Sequence, residues 1–145
     1  MTKKPEVNDL DARARAVATK LNVASDQLTE SLKHAEAALV GMGLGVWARA
    51  LQRQDEDTGR YESLTFGKAD GRWGLFFESG SDFDSFDSIY TPVLEASRED
   101  RQQAARLLPK LFEALVAAAE KEVDGVEKSR TIVDQVAAAA AKARR

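Results

Sequence analysis

Glu78, Asp82, Asp84 and Asp87 stand close together in the chain, and hard oxygen donors at such spacing are the usual ligands of calcium. The EF-hand arrangement needs acids or amides at positions 1, 3 and 5, glycine at 6 and glutamate at 12. Counted from Asp82, positions 5, 6 and 12 are Phe86, Asp87 and Val93, so the motif fails and no metal or cofactor is expected. The single histidine, His34, follows Glu30 by four residues among alanines. A catalytic base needs an oriented nucleophile; none stands nearby, so His34 reads as a solvated helix-surface residue. Gly41-Met-Gly-Leu-Gly45 has the glycines of a phosphate loop, but it leaves a helix for a strand, whereas anion-binding loops feed a helix N-terminus. With no cysteine, a disulfide framework, a zinc ribbon and a thiol nucleophile are excluded. The expectation is a protein without enzymatic activity.

The acidic stretch reads better as a docking surface. Residues 78–96 hold five acids and no base, while the whole chain carries a net charge of -3. Phe83, Phe86, Ile89 and Tyr90 alternate there with Asp82, Asp84 and Asp87, and aromatic anchors in an acidic rim suit a protein partner with a basic surface. The opposing reading folds the aromatics under to cap a core and leaves the aspartates in water. Nucleic acid is not expected as a partner, because its binders show a basic face. Lys3-Lys4 and Lys142, Arg144 and Arg145 lie at the termini, where the latter three complement a helix C-terminus. No apolar run approaches the ~20 residues of a membrane span, and no secretory signal follows the first lysines, so a cytoplasmic location is expected.

Two helical patterns flank a strand region and must position these groups. The first has four-three spacing through Leu10, Ala14, Val17, Leu21, Ala24, Leu28, Ser31, Ala35, Ala38 and Met42. Asn22 and Ser25 mark a place where a helix can stop and restart, with Ser25 as N-cap. Strands are expected at 46–51, 61–67 and 72–78. Asp70-Gly71 between the last two is a type I′ hairpin signal. It sets Lys68 opposite Trp73, Phe66 opposite Leu75 and Leu64 opposite Phe77, placing all five large apolar side chains on one face. Ser88 to Thr91 make either a short edge strand ending at Pro92 or part of a long loop. In the last third, Ser97-Arg-Glu-Asp100 resembles a capping box, and Pro109 is expected to kink or restart the helix. A second seam follows through Phe112, Val116, Ala119, Val123, Val126, Arg130, Val133, Ala137 and Ala140. A bend at Asp124-Gly125 is an open alternative to one helix over 110–143.

These readings predict an α+β fold with a β-meander of three or four strands. One domain over 1–145 is expected: an N-terminal helical segment (1–42), the meander (44–78), the acidic-aromatic loop or edge strand (79–96) and a C-terminal helical segment (97–145). Alanine supplies 24 of the apolar residues, so large side chains must carry the core and the seams allow close helix approach. Both seams need partners, in the same chain or in a second copy. A homo-oligomer with Phe112, Val116, Val123, Val126 and Val133 at its interface is the expectation. The function expected is that of a small acidic adaptor, chaperone or inhibitor. The alternative is a sensor holding a base or small anion on the concave side of the sheet, with Trp47 or Trp73 and Arg49 or Arg72.

Overall fold

A computed structural model describes residues 7–144, leaving out the side chains of 84–87. Lys3, Lys4 and Arg145 thus lie outside the described residues, as do the side chains of Asp84, Phe86 and Asp87. The architecture is α+β: helix α1 (Val7–Gly41), strands β1 (Ala48–Gln54), β2 (Arg60–Ala69), β3 (Arg72–Ser81) and β4 (Asp84–Pro92), a 3-10 turn at Val93–Glu95, and helix α2 (Arg98–Ala143). The strands form one antiparallel sheet in chain order, with β1 and β4 at its edges.

The β2–β3 hairpin follows from its turn. Asp70 and Gly71 take φ of 51° and 78°, the two positive values a type I′ turn demands. Lys68 then pairs with Trp73, Phe66 with Leu75 and Leu64 with Phe77, as expected. Leu64, Phe66 and Leu75 are buried in the core, and Trp73 and Phe77 pack against it. Phe66 and Trp73 stack at 5.6 Å between ring centroids. From β1 only Ala48 and Ala50 reach this core. Their small size admits α2, whose Ala104, Leu111 and Leu115 complete the layer with Leu32 and Leu39 of α1. The first strand begins two residues later than expected and contains an irregularity between Leu51 and Arg53. The 79–92 stretch is no long loop: β3 and β4 join in a second hairpin through Asp82 and Phe83.

The helices depart from expectation in two ways. α1 passes through Asn22 and Ser25 unbroken. Such residues cost only about 0.5 kcal/mol in a helix interior, and the Ser25 hydroxyl is used elsewhere, accepting from Arg101 Nη2 of α2 at 2.8 Å. Arg101 Nη1 donates to Thr29 Oγ1 one turn further along α1. Ser97 does cap α2, its Oγ accepting from the Asp100 N–H at 3.1 Å. Pro109 lies inside α2 without dividing it. A helix-interior proline costs about 3 kcal/mol, but Leu111 and Leu115 just beyond it are both fully buried. Each contributes about 1.5–3 kcal/mol on burial, enough to hold the helix on the sheet. Between the two open alternatives at Asp124-Gly125, α2 takes the continuous one, a single unbroken helix of 46 residues.

Both helices overrun the sheet. Residues 7–24 of α1 and 120–143 of α2 are exposed throughout. The helices run in the same direction: Ser25 and Thr29 of α1 meet Arg101 near the start of α2, and Leu44, just past α1, borders the same groove as Ala119 and Val123. The α1 extension therefore leaves one end of the molecule and the α2 extension leaves the other.

Leu111→Ala is expected to cost about 2–5 kcal/mol, the range for truncating a buried leucine. Ile132→Ala, at a position 61% exposed on the α2 extension, should cost less than about 0.5 kcal/mol. Urea denaturation of the two variants beside wild type checks both values.

Candidate functional site

Side chains alternate across a strand, so the residues between the core positions form the opposite face of the sheet. That face carries Arg49, Tyr61, Ser63, Thr65, Glu78 and Tyr90, brought together by register: Arg49 pairs with Thr65, Ser63 with Glu78 and Glu78 with Tyr90. Glu78 is only 4% exposed. Its Oε1 accepts from the Tyr61 hydroxyl at 3.0 Å and the Tyr90 hydroxyl at 3.1 Å. Its Oε2 accepts from Thr65 at 3.1 Å and Ser63 at 3.5 Å. The Arg49 guanidinium stands 3.9 Å from Oε2 and 5.3 Å from the centre of the Tyr61 ring. A buried carboxylate is costly unless hydrogen-bonded and charge-compensated. Here four hydroxyls and one cation do both.

Aromatic rings close over the cluster. Trp47, just before β1, and Tyr90, on β4, approach to 6.3 Å between centroids at 74°, an edge-to-face pair of the kind aromatic quadrupoles favour. The Trp47 ring lies over Gly67, where a Cβ would come within 2.4 Å of it; only glycine lets the ring sit so close. Trp47, Arg49, Thr65, Glu78 and Tyr90 line a cavity of about 410 Å³ that also reaches Ala48 and Ala114. The Tyr90 hydroxyl titrates above the ordinary tyrosine range. Burial is the main cause, then the Glu78 charge and the hydrogen bond donated to it, with Arg49 opposing.

The residues singled out by sequence are distributed differently. Asp82 and Phe83 are exposed at the β3–β4 turn; Asp82 Oδ2 accepts from Gln54 Nε2 at 2.9 Å, and the Phe83 ring lies against Gly59. Tyr90 does not join them but is turned to Glu78. Glu78 in turn belongs to the sheet face and not to a ligand set with Asp82. Of the two arginine and tryptophan pairs, Trp47 and Arg49 share the cavity. Trp73 is half-buried and packs against the core, and Arg72 lies exposed at the hairpin end. His34 is on the exposed surface of α1. Among the described residues, no three His, Cys, Asp or Glu side chains gather in a metal-binding group, and no helix is long and apolar enough to cross a membrane.

The second candidate surface is the pair of helical extensions. Val123, Val126 and Val133 of the α2 seam are 54%, 59% and 64% exposed; Leu44 and Val46 border the first two, and the stripe beyond them is exposed throughout. Phe112 and Val116, placed by sequence in the same seam, are partly exposed where α2 lies on the sheet; Leu111 and Leu115, one position earlier in each case, face the core instead. On α1, Leu10, Val17 and Leu21 are likewise exposed. No protein family, curated protein or solved structure matches this chain.

Because the Tyr90 proton is held more tightly in the folded state, its contribution to stability is complete below the ordinary tyrosine value near 10. It is lost as pH rises through the higher folded value. The stability difference between wild type and Tyr90→Phe should therefore be constant from pH 7 to 9 and shrink above pH 10. Thermal denaturation of both proteins across that range checks the trend.

Proposed function

We propose that this chain is a non-enzymatic protein–protein interaction module, a small acidic adaptor, chaperone or inhibitor of the cytoplasm that associates with further copies of itself through its helices. One observation carries this reading: α1 and α2 extend beyond the sheet at opposite ends, each bearing an apolar stripe whose large side chains stay at least 40% exposed. Helices polar on all sides need no partner, but a repeated four-three apolar seam gains stability only when buried against another helix. Closure within one chain is excluded by direction, since the two extensions point away from each other. A second copy supplies the missing surface.

Replacing Val126 and Val133 together with glutamate should lower the association constant about a hundredfold or more, since each substitution buries a charge in the seam. The melting of the sheet core should be nearly unchanged, because both side chains are more than half exposed and neither belongs to the core cluster. Light scattering on a size-exclusion column gives the mass, and a monomeric wild type at high concentration would defeat the reading.

The 410 Å³ cavity favours a second reading, a binding module for a small planar ligand. Trp47 offers a stacking surface and Arg49, half exposed, offers donors beside it. Because Arg49 and Glu78 offset each other, a neutral ring suits the cavity better than a free anion. Titration of nucleosides while following tryptophan fluorescence should then show saturable quenching in wild type and none in Trp47→Ala. Equal quenching in both would remove this reading.

A further inference from the structure

The stripe of α2 that meets α1 continues past the end of α1 as the uncovered seam. Arg101, which donates to Ser25 and Thr29 of α1, lies on the same side of α2 as Ala119, Val126 and Val133, by the turn of about 100° per residue of a helix. Gly41 ends α1; Gly43, Leu44 and Val46 border α2 as far as Glu127, and past that point the described residues of α2 are exposed throughout. At the other end, the α1 stripe of Leu28 and Leu32 continues into Leu21, Val17, Ala14 and Leu10 before α2 has begun. The free lengths are similar, each between four and seven helical turns for residues 7–24 and 120–143. We infer that copies associate head to tail, the α1 extension of one copy lying parallel along the α2 extension of the next. This rests on the self-association reading above and names its geometry.

Charge at the seam edges selects this pairing over the alternatives. In a parallel pair, one edge line of a helix faces the opposite edge line of its partner. On α1 the edge preceding Ala14 and Leu21 holds Arg13 and Lys20. On α2 the edge following Ala119, Val126 and Val133 holds Glu120, Glu127 and Asp134. These lines face each other in every parallel register that keeps seam on seam. Along the other edge, Asp11 and Ala18 meet Glu122, Ser129 and Val136, and the Asp11 charge is already offset by Arg15 at 3.0 Å. Asp134 lies 3.8 Å from Arg130, but this pair is well exposed and holds it weakly.

Like-with-like pairings lack this complementarity. Two antiparallel α2 extensions bring the line of Glu120, Glu127 and Asp134 against itself. Two parallel ones set Glu122 against Glu127 and Arg130 against Arg130 within the seam. Two antiparallel α1 extensions oppose Arg13 and Lys20 to their own copies, and two parallel ones set these bases against Ala18 and Ser25. A head-to-tail contact uses different surfaces on its two sides. It leaves one free at each end, so assembly continues beyond two copies unless rotation closes a ring.

The test uses the full chain in three forms at low ionic strength, read by light scattering at low and high protein concentration, with circular dichroism to confirm equal helicity. Wild type should grow beyond a dimer as concentration rises. Arg13→Glu with Lys20→Glu, and separately Glu127→Lys with Asp134→Lys, should each weaken association about tenfold or more. Mixing the two variants should restore masses above a dimer, because each then presents edges opposite to the other's. A wild type that stays monomeric overturns both this inference and self-association. A wild-type dimer that neither concentration nor charge reversal changes overturns only the head-to-tail geometry.

Discussion

The helices of this protein are far longer than the sheet that holds them. Strands β2 and β3 have ten residues each, and α1 and α2 have 35 and 46. Although a helix rises only about half as far per residue as a strand, α1 is still roughly half as long again as those strands, and α2 about twice as long. This mismatch of length organises the molecule. The sheet has one apolar face, built on Leu64, Phe66 and Leu75, and it anchors only the part of each helix that reaches it. Leu32 and Leu39 secure α1, and Ala104, Leu111 and Leu115 secure α2. Since the helices share one direction, their surplus turns appear at opposite ends, each with the stripe that would have continued the packing.

The face of the sheet away from this core solves a different problem. Ser63, Thr65 and Glu78 are buried there, grouped with Tyr61, Tyr90 and the Trp47 ring, and Ala114 of α2 reaches the rim of their cavity. One carboxylate organises the set, drawing hydroxyls from β2 and β4 and a guanidinium from β1. Charged hydrogen bonds are stronger and more directional than neutral ones, so the cluster pins all four strands across the sheet. A smaller device acts at the rim: β4 stops at Pro92 opposite Phe76, and Glu36 of α1 accepts from the Leu75 N–H at 2.9 Å just beyond. The helix thereby satisfies a strand edge that would otherwise lie open.

Local chemistry was legible from the residues alone wherever one element decided the outcome. Asp70-Gly71 with period-two alternation determined the hairpin, its register and its buried face. Ser97 determined the start of α2, and the four-three spacings determined that both flanks are helical. Where two elements compete, composition misled: Ser25 reads as a cap and Pro109 as a break, yet an arginine on another helix and two buried leucines override them. The Glu78 cluster was half legible, because the hairpin register already sets Ser63 opposite Glu78. Arg49 and Tyr90 join only through pairings with β1 and β4 that no turn signal specifies.

The sequence by itself determined that two amphipathic helices flank an antiparallel meander, because periodicity and turn chemistry act over a few residues. Tertiary structure alone decided that the helices lie parallel, that Leu111 and Leu115 rather than Phe112 and Val116 enter the core, and that the seams end on opposite sides. Those outcomes depend on contacts between segments far apart in the chain. A step of one residue turns a helical side chain by about 100°, and only the surface it meets fixes which stripe is buried.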